Sequence, residues 1–180
     1  IRHIEGNRIS LGEPEEVNSE RLKVLSGLLI SGGLKAPQKK KLRDEIWIKL
    51  WGNCSFNPLS AITGASLDVL GNDPSSRLLI QTLMEECQKV GEAVGARFNV
   101  SIENRINGAA SIIGHKPSTR QDIELKRPLE IDPIMSAIVE IGTKLSIPTP
   151  MLKHVNGILK LKAGYLGLYT RNELIDKLTV

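Results

Sequence analysis

Soft metal ligands are scarce in this 180-residue chain: it has two cysteines, Cys54 and Cys87, and three histidines, His3, His115 and His154. Two cysteines are too few for a disulfide framework, and Cys54, inside a stretch that reads as helical, is expected as a small buried filler. The histidines share no ligand spacing, so no zinc site is expected. Aromatics are only 3% of the chain, which leaves Leu, Ile, Val and Ala to build the core. No apolar run approaches the ~20 residues that span a bilayer. The opening "IRHIEGNRIS" has no apolar signal-peptide region, so a soluble, cytoplasmic protein is the expectation. An excess of one charge is also lacking, with 24 basic against 20 acidic residues. The densest basic run, "KAPQKKK" at 35–41, has no interleaved aromatics. Nucleic-acid binding usually takes a broader basic face with stacking groups. The run therefore reads as a solvated loop, and neither nucleic acid nor membrane is expected as a partner. G-x-G-x-x-G and P-loop motifs are absent, and "GEAVGA" at 91–96 falls in a helical pattern with no strand before it. On motifs alone, these residues contain no nucleotide-binding site.

What is present is periodicity. Hydrophobic residues make up 41% of the chain, which argues against disorder. "IRHIEGNRISLG" alternates apolar and polar residues around Gly6-Asn7, the pattern of two short strands joined by a tight turn. A lone hairpin is marginal in water, so it is expected as the edge of a larger sheet. From Asn18 the pattern turns helical. Leu22, Leu25, Leu28 and Leu29 form one stripe, stopped by Gly32-Gly33. Asp73 can cap a helix that Pro74 opens, with Leu78, Leu79, Leu83, Met84, Val90 and Val94 running on to Gly95. A shorter helix is expected over 101–113. Ser118 or Thr119 can cap "RQDIELK", and Pro128 breaks the pattern. Ile131, Ile134, Ile138 and Ile141 make another stripe, and Thr149-Pro150 opens a last long helix to about Lys162. The expectation is a strand fragment followed by six or more helices.

One stretch is chemically odd. In "KLWGNCSFNPLS", residues 49–60, Lys49, Asn53 and Asn57 recur every fourth residue, which on a continuous helix puts them on one face. Ile46, Leu50 and Cys54 would then face the opposite way, with Trp47 and Trp51 between. Pro58 removes one backbone hydrogen bond and presses on the Cys54 carbonyl. Two readings fit. The stripe is an exposed helix face ended by an Asn-Pro turn, or the kink opens a concave surface lined by one ammonium and two carboxamides.

The segment "IWIKLWGNCSFNPLSAITG" resembles the signature of the ketopantoate reductases (2-dehydropantoate 2-reductases), roughly W-x-K-L-x-x-N-x-x-x-N-P-L-[ST]-A. "KPSTRQDIELKRPLEID", residues 116–132, resembles that family's S-x-x-Q-D-[IV]-x-x-x-R-x-[TP]-E-I-D block, and "NRISLGEPEE" resembles the strand that closes its N-terminal cofactor domain. The resemblance covers nearly the whole chain. It implies a mainly α fold, the multi-helix C-terminal domain of the 6-phosphogluconate dehydrogenase C-terminal-like type, preceded by a short β-hairpin left from a Rossmann domain. Residues 1–16 would be the terminal strands of that domain and residues 17–180 the helical substrate-binding and catalytic domain. The implied activity is NADPH-dependent reduction of 2-dehydropantoate to pantoate, on the route to pantothenate and coenzyme A. NADPH would be bound mainly by the Rossmann domain of the same enzyme, and a homodimer is an open expectation.

Carried over residue by residue, Lys49 matches the family's catalytic lysine. Asn53 and Asn57 match substrate-binding asparagines, and Ser118 a serine expected to contact the substrate at its carboxylate. Glu130 matches a glutamate beside the catalytic lysine and the cofactor, and Asp122 falls at a supporting position. Without the resemblance, Glu130 reads as a charge at a helix start and Ser118 as an N-cap. One departure stands out: some members carry a further substrate-binding asparagine about ten residues past the Asn-Pro-Leu asparagine, and here the matching position is near Leu67. A paralogous NADP-dependent reductase of another 2-oxo acid is the nearest alternative. A non-catalytic helical module for dimerisation or regulation is the more distant one, and the presence of both Lys49 and Glu130 argues against it.

Overall fold

Residues 6–170 are described by the computed structural model of the chain. Two units emerge, residues 1–46 and residues 47–180.

In the first unit, Arg8 and Leu11 bridge in parallel to Lys35 and Gln38. The Ile9 N–H donates to the Lys35 carbonyl (2.8 Å), the Leu11 N–H to Pro37 (3.0 Å) and the Lys39 N–H back to Leu11 (2.7 Å). Parallel segments need a crossover, which α1 (Glu20–Ser31) supplies. Ser19 caps α1 by accepting from the Leu22 N–H, and Gly33, at φ +88°, takes the left-handed backbone that turns the chain out of it. Ser26 is buried and donates to the Ala36 carbonyl at 2.7 Å. The helix therefore buries its Leu22–Ser26 face, and Leu25 and Leu28 of the expected stripe are 47% and 67% exposed.

Two expectations change here. The first arm of the expected hairpin lies in residues 1–5, outside the described residues, and the second arm pairs in parallel with residues 35–39. The basic run is not a free loop either: it forms that extended partner, and Lys39 and Lys41 are paired with Glu45 (2.6 Å) and Glu16 (3.6 Å). The Arg21 guanidinium and the Ser19 hydroxyl hold the Glu13 carboxyl down at about 2.

The second unit begins within α2 (Leu42–Cys54) and continues through α3 (Phe56–Thr63), α4 (Leu67–Asn72), α5 (Pro74–Ala93), α6 (Ile102–Ala110) and α7 (Ser118–Glu124). A π-turn (Asp132–Ser136), α8 (Ala137–Lys144) and α9 (Pro150–Tyr165) follow. Helix α5 is the axis of the core. Asp73 accepts from the Ser76 N–H at 2.8 Å, Pro74 occupies the first turn, and Ile80, Leu83, Met84, Cys87 and Val90 are fully buried. Helices α4, α6, α8 and α9 pack on it. Thr149 does not cap α9 with its side chain. The buried Glu86 of α5 reaches across instead, accepting from the Met151 and Leu152 amides at 3.0 and 2.9 Å, where a carboxylate complements the helix N-terminus.

Helices α4 and α6 meet at Gly71, where a Cβ would lie 2.6 Å from the Ala110 Cβ and 3.1 Å from its Cα. No flexible side-chain end is available to yield. Gly71→Ala should therefore destabilise the protein by about 1–3 kcal/mol, read as a lower urea midpoint. An unmoved midpoint would show that α6 does not depend on this contact.

Candidate active site

The sequence around Pro58 forces a break. Proline has no N–H to give the Cys54 carbonyl, and its ring excludes that carbonyl, so one helix cannot run through 54–58. Ser55 leaves helical geometry (φ −120°, ψ −75°), ending α2 and starting α3. Pro58 then sits in the first turn of α3, where a backbone donor has no intrahelical partner. The Ser55 hydroxyl donates to the Trp51 carbonyl, closing the end of α2. Asn53 and Asn57 thus belong to two helices, not to one continuous stripe.

The buried side of α2 also differs from the expected one. Trp47, Trp51 and Cys54 face the core, while Ile46 is exposed and Leu50 half-buried. The indoles are the largest apolar groups in the helix, and their i, i+4, i+7 alignment with Cys54 sets its rotation. Trp51 stacks on Phe98 with centroids 4.5 Å apart. Lys49 is consequently turned outward, exposed, one turn before Asn53, with no hydrogen-bond or ion-pair partner among the described residues.

Helix α7 packs against α3, and this contact joins the two signature segments. The Asn57 side chain, only 8% exposed, donates through Nδ2 to Asn53 Oδ1 at 3.5 Å and to Ser118 Oγ at 3.4 Å, across 61 residues of sequence. Both bonds are long for N–H···O, so the amide can be taken over by a stronger acceptor. Ser118 is the first residue of α7 and Pro117 is its N-cap, with no side-chain capping bond. The capping role expected for Ser118 is therefore not what occupies its hydroxyl. Helix α4 fixes the loop leading into α7: the Leu67 N–H donates to the His115 carbonyl (3.1 Å) and the Gly114 N–H to Asp68 Oδ1 (3.0 Å). The Ser66 hydroxyl and that amide hold the Asp68 carboxyl below the usual carboxylate range.

These elements line a half-open cavity of ≈ 450 Å³. Asn53, Asn57, Ser118, Arg105 and His115 supply its polar groups, and Phe56, Leu67, Ala109 and Ile112 supply an apolar wall. Lys49 and Glu130 are not among the lining residues. Sequence reasoning missed Arg105 and His115, which lie outside both signature segments and share no spacing with the polar stripe.

Glu130 is exposed and joined to Lys49 by no hydrogen bond or ion pair among the described residues. Its backbone is well anchored nonetheless. Leu129 and Ile131 on either side are buried, and the Leu129 N–H donates to the Leu168 carbonyl at 3.0 Å. Two residues on, Asp132 begins the π-turn and accepts from the Ser136 hydroxyl (2.8 Å) and the Tyr169 hydroxyl (3.0 Å), while pairing with buried Lys160 (3.2 Å). Burial pushes the Tyr169 phenol up. Asp122 lies 4.0 Å from Arg127. Among the described residues no cluster of His, Cys, Asp and Glu could hold a metal ion, and no helix is long and apolar enough to cross a membrane.

Comparison with known proteins agrees with the motifs. Residues 41–163 match the family described as "Ketopantoate reductase PanE/ApbA C terminal". The chain is 44% identical over 170 residues to a 2-dehydropantoate 2-reductase of Mesorhizobium japonicum, covering 94% of this chain and 52% of that protein. It superposes on the crystal structure of a putative ketopantoate reductase from Ralstonia solanacearum with a TM-score of 0.88 and 34% identity, covering 93% of this chain and 51% of that one. A D-mandelate dehydrogenase in ternary complex with NADH and anilino(oxo)acetate shares the fold at 24% identity and a TM-score of 0.81, covering 92% and 70% of the two chains. The chain spans about half the length of the curated relatives it matches. With both signature segments inside the matched region, the chain belongs to the ketopantoate reductase family, whose all-α C-terminal domain it represents.

Proposed function

We propose that the chain is the substrate-binding and catalytic domain of an NADPH-dependent 2-oxo acid reductase that converts 2-dehydropantoate to pantoate, in pantothenate and coenzyme A biosynthesis. The observation that carries this reading is the meeting of Asn57 with Ser118, which brings the two signature segments together at one cavity. Amides and a hydroxyl there can both donate to and accept from the oxygens of a hydroxylated oxo acid. Lys49, exposed and one turn from Asn53, is the group that meets the carbonyl oxygen. As that oxygen gains negative charge, the ammonium stabilises it and gives up a proton. When bound, NADPH supplies the hydride.

The cofactor is assigned mainly to a Rossmann domain of the same enzyme, to whose end residues 1–16 are assigned. Glu130, exposed on an anchored segment, fits a hydrogen-bond acceptor for the cofactor and for Lys49. A second reading is favoured by Leu67, which lines the cavity where some family members are expected to carry a substrate-binding asparagine. It is the reduction of a different, less hydroxylated 2-oxo acid.

The test is nucleotide oxidation by the full-length protein, with NADPH and NADH, on 2-dehydropantoate beside other 2-oxo acids. Turnover fastest with 2-dehydropantoate and NADPH is expected. Turnover with no 2-oxo acid would overturn the proposal, and a preference for another acid would select the second reading. In the same assay Asn57→Ala should raise KM by about tenfold or more, as for loss of hydrogen bonds to a bound polar group. An unchanged KM would remove Asn57 from the site.

A further inference from the structure

Arg105 stands on α6, outside both signature segments, yet it lines the same cavity as Asn53, Asn57 and Ser118. Its Nη2 lies 3.4 Å from the point where Gly52 would carry a Cβ, so the guanidinium rests against α2 one residue before Asn53. Gly52 is a poor choice for a helix interior on propensity alone. A larger side chain there would push the guanidinium out of the cavity. Other arginines of this unit are committed: Arg77 to Asn107 and the Gly71 carbonyl, Arg120 to Glu124, Arg127 to Asp122. Arg105 has no hydrogen-bond or ion-pair partner among the described residues. A planar cation left unpaired beside carboxamides is matched to a planar anion, which it can bind through two parallel N–H···O bonds. In the same cavity, Phe56, Leu67 and Ile112 offer a surface for hydrocarbon.

We propose that Arg105 is the carboxylate anchor of this site and sets its specificity for a short-chain carboxylic acid with a compact apolar body. The assignment rests on reading the cavity as the substrate site. Ionic anchoring fixes the acid end, with the Ser118 hydroxyl available beside it, and leaves the Asn53 and Asn57 amides for the remaining oxygens. The structural alternative is that the guanidinium merely complements the negative end of α2, a role that would leave substrate kinetics alone.

The experiment compares full-length wild type, Arg105→Lys and Arg105→Met in steady-state reduction of 2-dehydropantoate, other short 2-oxo acids and their methyl esters. Thermal melts check folding, and Arg105→Lys keeps the charge should Arg105→Met fail to fold. In Arg105→Met, KM for the acids should rise about 30- to 100-fold with kcat nearly unchanged, as for a lost charge-assisted hydrogen-bond pair. Ester kinetics should not move, and Arg105→Lys should recover part of the loss. A KM for the acids within about threefold of wild type, or equal effects on acids and esters, would overturn the assignment. Should wild type reduce no 2-oxo acid, the proposed reaction falls and Arg105 is judged by calorimetric titration with 2-dehydropantoate. Binding lost on Arg105→Met supports the anchor; equal binding, or none to either protein, overturns it.

Discussion

Replacing Lys49 by alanine should lower kcat by about a hundredfold or more, the usual scale for loss of a positioned proton donor, while the melting temperature hardly moves. The two halves of this result come from one observation. Lys49 is exposed and makes no hydrogen bond or ion pair among the described residues, so the folded state has little to lose on its removal. A lysine in that position on a merely solvated helix face would be equally dispensable for turnover. Lysine and the two asparagines recur at helical spacing, but Pro58 and Ser55 split them over two helices, and Asn57 is drawn down onto Ser118. Lys49 is left free at the approach to that cluster. Steady-state kinetics with circular dichroism on the full-length protein separate the outcomes. A stable Lys49→Ala variant that keeps most of its turnover would remove Lys49 from the reaction.

The largest stability effect is expected at Asp132 and Lys160. The Lys160 side chain is only 4% exposed and its ammonium lies 3.2 Å from Asp132 Oδ1, with the Tyr169 ring 5.6 Å away. Asp132 also accepts from Ser136 and Tyr169. Asp132→Ala strips the carboxylate from a buried cation and leaves two hydroxyls without their acceptor. Removing one partner of a buried ion pair costs about 3–5 kcal/mol, which in a chain of this size lowers Tm by on the order of 10 °C. The double replacement Asp132→Leu with Lys160→Met should recover much of the loss, because the buried ammonium is then removed together with its carboxylate. Scanning calorimetry gives the answer. A single variant melting within a degree or two of wild type would mean that the pair does not hold the π-turn. Glu130 lies two residues before that turn, so Asp132→Ala should also weaken whatever Glu130 contributes to activity.

Local chemistry made most of the helices legible. Asp73-Pro74 announced α5, because capping and proline placement are decided within a few residues; Pro150 likewise announced α9, but the acceptor at its start, Glu86, comes from α5 and was not legible. The stripe at Ile131, Ile134, Ile138 and Ile141 found α8 but not the π-turn that opens it. That turn is tied to Lys160 and Tyr169, about thirty to forty residues on, and local periodicity carries no trace of such partners. The break at Ser55 was half legible: Pro58 announced a disturbance, but not that the chain would restart as a new helix with Pro58 in its first turn. The rotation of α2 was misread because its apolar residues allow two faces, and tertiary packing, with Trp51 on Phe98 and Trp47 against Gly91, selects the indoles. In the site, Lys49, Asn53 and Asn57 were visible through spacing, and Ser118 and Glu130 through resemblance alone. Arg105 was invisible by either route. It reaches the cavity because α4 and α6 touch at Gly71 and Ala110, a contact between helices that the sequence does not announce.

The central claim is that the two signature segments build one site for an oxo acid. It is tested most directly by a crystal structure of the full-length protein with oxidised NADP and the 2-hydroxy acid product. The account predicts one ligand within about 3 Å of the Lys49 ammonium, the hydrogen-bonding reach of a proton donor, and in contact with Asn57 and Ser118. A product bound away from Asn57 and Ser118, or a Lys49 ammonium beyond reach even of a bridging water, would contradict it.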